Sequence, residues 1–360
     1  MSVKLGVFAM PVHPPEKSFR AVLDENTEKV VLADQLGYQE FYMGEHHTTQ
    51  LEKVSNPLIF FASIADKTKN IRLGSGVLNL PQTHPMAVAS NVALLDQVTN
   101  GRFILGVGPG SLVTDLEAFG DVPIDVRGRM VFESIDMVTK IWTTPPPFEL
   151  KGEFWNVKLK DKLIPEYGVG SPPLPKQLPH PPVAFTMVAP KSYSGRVAGR
   201  NNWIPISANF VNKRLLAGHW ESYAEGCEDV GRKPDPSVWR VCRCVLVTES
   251  DGEADDYLAD PDSAVGYYYK FFRHIAVAGR GTLGMLKPDL DKSDEETTNK
   301  DIVDAQVISG SPKRVLEQLR ALREEIGDFG TLVMTSYDWD RPDMWKRSMR
   351  LLASEVAPKL

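Results

Sequence analysis

The sequence predicts a single (β/α)8 TIM barrel over residues 1–360, and three observations carry the prediction. Eight short apolar runs alternate with longer amphipathic stretches, the pattern of strands wrapped by helices. The length, 360 residues with 42% hydrophobic side chains, suits one large barrel with insertions. No linker and no short-period repeat divides the chain.

The elements follow in order. Leu5–Met10 is a first strand; His13-Pro14-Pro15 lies in the loop after it. Ser18–Leu36 carries Phe19, Val22, Leu23, Val30, Val31 and Leu36 at helical spacing, and Gly37 closes it. Phe41–Met43 is the second strand. Asn56-Pro57 opens the second helix, with Ile59, Phe60, Ile64 and Ala65 as its buried face. Ile71–Leu80 is the third strand, Pro85–Leu95 the third helix, Phe103–Val107 the fourth strand and Arg127–Trp142 the fourth helix. Residues 143–181 are rich in Pro and Gly and form an excursion over the barrel surface, with room for a small hairpin. The rhythm resumes with strands at Pro182–Met187, Trp203–Ser207 and Arg240–Thr248, and with helices at Ser192–Gly199 and Lys213–Val230. Residues 249–300 are a second excursion. An insertion of that length is a functional lid or disordered. Its Tyr267–Phe272 cluster lines a substrate pocket or a mobile lid, or else packs as an amphipathic helix on the barrel. Ser311-Pro312 starts a helix with stripe Val315, Leu319, Leu322 and Ile326; Thr331–Thr335 is the eighth strand and Met344–Val356 the last helix.

Composition narrows the function. The net charge is −6 with no basic block, which speaks against nucleic acid. The apolar run at the N-terminus is too short for a signal peptide, and no run of ~18 apolar residues spans a membrane. Cys227, Cys242 and Cys244 fit neither a disulfide framework nor a zinc site; they read as buried free thiols in a reducing cytoplasm.

Barrel active sites lie at the C-terminal ends of the strands. Those ends collect Pro11 and His13; Glu45 and His46; Asn79, Gln82 and His84; Gly108-Pro109-Gly110; Ser192 and Tyr193; Ser207 and Asn209. No adjacent acid pair suits glycoside hydrolysis. The sharpest segment is Phe41-Tyr42-Met43-Gly44-Glu45-His46-His47, where an apolar run ends in Gly and then presents an acid and two imidazoles. Consecutive histidines on extended backbone point to opposite sides, so one of them, His46, is the working group. The alternative is a loop of solvated histidines. Glu45, His46 and His84 also leave open a metal-dependent hydrolase.

These motifs resemble a known family. Gly44-Glu45-His46-His47, Asn56-Pro57, Leu80-Pro81-Gln82-Thr83-His84-Pro85, Leu94-Leu95-Asp96-Gln97 with Gly101-Arg102-Phe103, Phe119-Gly120 with Arg127, Ser192 with Arg196 and Ala198-Gly199, and the tail from Gly310-Ser311-Pro312 to Ala357-Pro358-Lys359 are similar to the bacterial luciferase-like flavin monooxygenases, and within them to the diketocamphane monooxygenase branch. The resemblance implies a two-component enzyme. A separate flavin reductase supplies reduced FMN, O2 adds to the flavin, and the flavin peroxide oxygenates a small apolar substrate such as a cyclic ketone or terpenoid. It implies that His46 sits beside the flavin as a catalytic group and that Glu45 orients it. His84 is either a flavin-side helper or a loop anchor. The FMN phosphate is implied at Ala189–Tyr193, with Ser192 and Tyr193 as side-chain contacts and Arg127 nearby. Asn79 lies at the flavin, and a non-proline cis bond under the ring maps to Gly76-Val77. The resemblance also implies a homodimer. One departure is Pro109, which stands where some relatives carry an arginine, so Lys191 or Arg196 would replace that contact. A deazaflavin-dependent oxidoreductase and a non-catalytic partner subunit remain alternatives on the same barrel.

Overall fold

The structure is a computed structural model that describes residues 3–360. Eight parallel strands form its barrel: β1 (Lys4–Ala9), β2 (Glu40–Met43), β3 (Arg72–Ser75) continued by β4 (Leu78–Asn79), β5 (Phe103–Gly108), β8 (Val183–Met187), β9 (Ile204–Ser207), β10 (Arg240–Val247) and β12 (Thr331–Ser336). They pair in that order around the ring, and β9–β10 and β12–β1 pairs close it. All eight predicted strands are present. Their order fixes the point that matters for function: every strand ends on the same rim.

The helices start where the chain provides caps. Ser18 accepts from Ala21 N at the start of α1 (Phe19–Gln35), and Asn56 does the same for α2 (Pro57–Ile64) with Pro at the first turn. His84 caps α3 (Pro85–Val98), and Ser311 caps α11 (Pro312–Ile326). The fourth predicted helix is α5, which runs Ile124–Thr143 and starts earlier than its apolar stripe indicates. A short α4 (Val113–Ala118) precedes it, without a sequence signal. The third strand is not continuous: a cis peptide at Gly76-Val77, the position the family resemblance implied, separates β3 from β4.

The first excursion contains an antiparallel hairpin, β6 (Phe148–Lys151) with β7 (Asn156–Leu159). On resumption, α6 (Tyr193–Asn201) and α7 (Leu216–Glu228) pack closely through Gly199 and Gly226, where any Cβ would meet the other helix's backbone. The second excursion is ordered as α8 (Asp251–Ala259), α9 (Ala264–Arg280), a loop, and α10 (Asn299–Gln306) leading into β11 (Val307–Gly310). Strand β11 pairs outside the barrel with the second half of β10. Helix α9 buries Tyr268, Tyr269 and Phe272, so the aromatic cluster packs as a helix on the barrel. Helix α12 (Pro342–Leu351) runs on through a wider turn at Leu352–Val356 and a tight one at Ala357–Lys359. Among the described residues, no helix is long and apolar enough to cross a membrane.

Inside the ring a second, smaller core takes one side chain from most strands: Phe8, Tyr42, Ile104, Ala184, Ile206, Cys242 and Val333. Strand β3 contributes Gly74, because a Cβ there would enter the Tyr42 ring. Below this layer the Tyr42 hydroxyl donates to Glu40 Oε2 at 2.8 Å, and Glu40 pairs with Arg240, whose Nε donates at 3.0 Å. Glu40 begins β2 and Arg240 begins β10, so the pair ties two non-adjacent strands across the barrel bottom, away from the rim. Burial would raise the Glu40 carboxyl, but Arg240 more than offsets it and holds the pKa low.

Removing one partner of a buried pair leaves the other uncompensated. Arg240→Met is expected to lower the unfolding free energy by about 3–5 kcal/mol in urea melts, and Glu40→Leu added to it is expected to restore most of that. A loss below about 1 kcal/mol for the single variant would remove the pair's role in closing the barrel.

Candidate active site

The β2 end is built to present His46. Gly44 leaves room for the Met10 thioether, which a Cβ would strike. Glu45 follows, buried, with Oε2 accepting from Asn79 N at 2.8 Å, while the Asn79 side chain donates to the Glu45 carbonyl at 3.1 Å. These two bonds lock the ends of β2 and β4 together. Burial raises the Glu45 pKa, against the Asn79 amide and the neighbouring histidines. His46 is 9% exposed and its Nδ1 lies against the carboxylate of Glu52, itself 6% exposed. Burial alone would lower the His46 pKa; Glu52 first, then Asp115 and Glu45, reverse this and raise it. His47 turns the other way, as alternating backbone dictates. It is exposed, its ring meets Phe119 edge-on at 5.3 Å, and its backbone N donates to both Asp115 oxygens at 3.1 Å. Thr48 Oγ1 also donates to Asp115 at 2.6 Å, so α4 clamps the segment that carries His46. His46 is therefore the buried, charge-coupled histidine of the two, and the solvated-loop alternative applies to His47 alone.

The third strand supplies the floor beside it. Gly76 and Val77 are half-exposed, as are Phe8 and Thr186 at the same height, while the layer beneath them is closed. Cβ atoms at Gly76 and Gly108 would crowd Phe8, at 3.0 Å, and Val77, at 2.7 Å. These partly exposed strand ends define the mouth of the barrel. Both ends of the Gln82 carboxamide are buried without a partner, although the side chain sits beside the Asn79–Gly110 contact. His84 is exposed; Nδ1 accepts from Met86 N at 3.2 Å and the ring lies edge-on to Trp155 at 5.5 Å. That is the geometry of a loop anchor.

Across the mouth, β8 runs into a loop containing Ala189, which is exposed, and then Ser192 at the start of α6. Ser192 is buried, and its hydroxyl pairs with Ser194 Oγ at 2.6 Å rather than capping the helix. Tyr193 is exposed, edge-on to Phe132 at 5.5 Å. His219 of α7 backs this loop. It is fully buried, Nδ1 lies 3.0 Å from Ser207 Oγ, and burial pushes its pKa down to about 4 against the carbonyls of Ala189 and Val188. Arg127 is buried on α5; Nε donates to Val122 O at 2.9 Å, and Nη1 to Pro109 O at 3.1 Å and Gly110 O at 2.6 Å. It shapes the loop after β5. Arg196, one candidate to replace a missing arginine at Pro109, is committed to Asp229 at 2.7 Å. Lys191 is exposed on the loop itself.

Sequence reasoning missed Glu52, Asp115 and His219. Glu52 is a single acid between Leu51 and Lys53 with no periodic pattern around it; Asp115 and His219 sit on helix faces indistinguishable from solvated or core positions. Glu45, His46 and His84 do not assemble as metal ligands. Among the described residues the group with that spacing is His13, Glu25 and Asp338, and ammonium groups already serve it: Lys17 Nζ is 2.7 Å from Asp338 and Lys29 Nζ 2.5 Å from Glu25.

The family model for luciferase-like monooxygenases matches residues 3–328. The chain is 30% identical to 3,6-diketocamphane 1,6-monooxygenase of Pseudomonas putida, covering 100% of this chain and 99% of that protein. It is 30% identical to 4-hydroxyprotoasukamycin monooxygenase of Streptomyces nodosus subsp. asukaensis, covering 99% and 92%. Among solved structures it is similar to the oxygenating constituent of the Pseudomonas putida 3,6-diketocamphane monooxygenase, a type II Baeyer-Villiger enzyme in complex with FMN, with TM-score 0.88, 29% identity and coverage of 100% and 99%. With the barrel and the whole length in agreement, the chain belongs to the luciferase-like monooxygenase family.

Proposed function

We propose that this enzyme is the oxygenating component of a two-component system. It takes reduced FMN from a separate flavin reductase and, through a flavin peroxide, uses O2 to oxygenate a small apolar molecule of cyclic-ketone or terpenoid type. The observation that carries the proposal is the shared rim: His46 on one side of the mouth, the start of α6 on the other, in a chain that aligns end to end with an FMN-bound relative.

The residues present fit the cofactor. Gly44, Gly76 and Gly108 let Met10, Phe8 and Val77 pack tightly at the strand ends, and the unpartnered Gln82 carboxamide would offer a donor and an acceptor to a polar ring edge. The start of α6 has no side-chain cap, and a phosphate there would be favoured by the helix dipole. Ala189, Ser192 and Tyr193 would hold it, with Arg127 fixing the neighbouring loop. Gly76, Val77 and Asn79 would lie under the ring. Reduced FMN supplies the electrons that activate O2; binding, orientation and water exclusion fall to the protein. His46 holds or moves a proton near neutral pH, Glu45 keeps its strand end in register through Asn79, and His84 anchors the loop beside them. Phe210, Tyr268, Phe272 and Tyr337 pack against one another as part of the apolar core, and the substrate class is carried by the relatives alone. Exposed Ile59 on α2 and Leu94 on α3 suit a homodimer contact. The buried free thiols of Cys227, Cys242 and Cys244 suit a cytoplasmic location.

Three measurements test the proposal. Under anaerobic titration the chain is expected to bind reduced FMN in preference to oxidised FMN or deazaflavin; no binding of reduced FMN would end the reading. His46→Ala is expected to retain FMN binding but to discharge its oxygenated complex faster, by on the order of a hundredfold, in stopped-flow absorbance. Normal coupling of O2 use to product in that variant would contradict the role given to His46. Ser192→Asp sets a carboxylate where the phosphate is proposed to bind. It is expected to weaken reduced FMN at least about tenfold, or ~1.4 kcal/mol, and to leave reduced riboflavin unchanged. Equal loss for both flavins would move the phosphate elsewhere.

A further inference from the structure

Glu52 stands out among the buried groups near the mouth. Its Oε2 makes an ion-pair contact with His46 Nδ1, and that nitrogen and both carboxylate oxygens are buried with no hydrogen bond to another described residue. Other buried acids here are supported differently: Glu40 has Arg240 and Tyr42, Glu45 has the Asn79 amide, and Asp115 has His47 N and Thr48 Oγ1. A carboxylate taken from water without amide donors is strongly disfavoured unless a counter-charge meets it. The imidazole is the group in position to do so. The charged groups that act most strongly on the ring are Glu52, Asp115 of α4 and Glu45, all acids, and Glu52 in turn faces Tyr268 of α9. Burial and these acids act in opposite directions on the ring, and the acids prevail.

We propose that Glu52 is the positioning residue for His46: it fixes the proton on Nδ1, sets the plane of the ring, and leaves Nε2 as the nitrogen that meets cofactor or substrate. A second ring nitrogen held by a carboxylate is how an imidazole is kept in one tautomer and one orientation. Glu52 itself touches neither flavin nor substrate in this assignment. Its separation from His46 is six positions along a loop, so the loop between residues 47 and 52 folds back on itself; Asp115 holds the near end of that turn through His47 and Thr48. The functional consequence rests on the flavin reading above, whereas the pairing itself does not.

The test therefore begins without flavin. Protein carrying 15N-histidine is titrated by NMR, and His46 is assigned by its loss in His46→Gln. In the wild type the His46 ring is expected to be protonated at Nδ1, with that proton far downfield and slow to exchange, and to titrate above the ordinary histidine value. Glu52→Gln removes the charge and keeps the shape. It is expected to lower the titration midpoint and to lose the downfield proton. Glu52→Asp is expected to keep the direction of the wild-type shift. A wild-type ring protonated at Nε2, or an unchanged midpoint in a folded Glu52→Gln variant, would overturn the assignment; the wild-type spectrum alone decides if Glu52→Gln does not fold. With reduced FMN and O2, Glu52→Gln is expected to discharge its oxygenated complex on the order of tenfold faster. If wild-type protein binds no reduced FMN while the ring behaves as described, the flavin reading fails and the pairing stands.

Discussion

Barrel closure is the constraint on which everything else depends. Eight parallel strands can share one rim only if the ring shuts, and here the shut end is held by a buried charge pair. Glu40 and Arg240, with the Tyr42 hydroxyl, join β2 to β10 beneath a layer of apolar side chains. This polar group at the bottom is buried or nearly so, and each member has a hydrogen-bond partner. At the opposite rim polar chemistry is left open: Gln82 lacks partners, Ser192 does not cap its helix, and Phe8, Gly76, Val77 and Thr186 remain half-exposed. The difference between the two ends separates stability from function in one fold.

The same contrast governs the buried histidines. Each loses solvation, which alone favours the neutral ring. His219 meets Ser207, two backbone carbonyls and the positive field of Arg243, and it stays neutral. His13 meets Asp338, but burial and Lys29 keep its pKa low. His46 meets Glu52, with Asp115 and Glu45 behind it, and its pKa rises. Of the three, His46 is the one whose charge is available near neutral pH. It is also the one that stands at the mouth, on a strand end clamped by Asp115 and by the Glu45–Asn79 bonds. His219, under the loop that leads to Ser192, serves instead as a neutral strut. Its lowered pKa adds stability at and above neutral pH that is lost as pH falls from the unfolded value of about 6.5 towards about 4.

Much of this was legible in the residues because it is written in local chemistry. Apolar runs located all eight strands, and Asn56-Pro57 and Ser311-Pro312 marked helix starts that the caps bear out. The break at Gly76-Val77 came from family likeness; periodicity reads Ile71–Leu80 as one strand. What stayed hidden depends on the chain returning to itself. Glu52 reaches His46 through a loop without pattern, Asp115 reaches His47 across 68 positions, and β11 pairs with β10 only after three intervening helices. The phosphate role implied for Arg127 illustrates the same limit: the sequence shows an arginine at a helix start, while its carbonyl partners at Pro109, Gly110 and Val122 are visible only in three dimensions.

The central claim is that one mouth joins His46 to the start of α6 through a bound flavin. A crystal structure of the chain with FMN tests it most directly. The account predicts the isoalloxazine over Gly76-Val77 with His46 beside it, and the phosphate on the amides of Ser192 and Tyr193. A flavin bound elsewhere, or turned so that its phosphate lies next to His46, would contradict it.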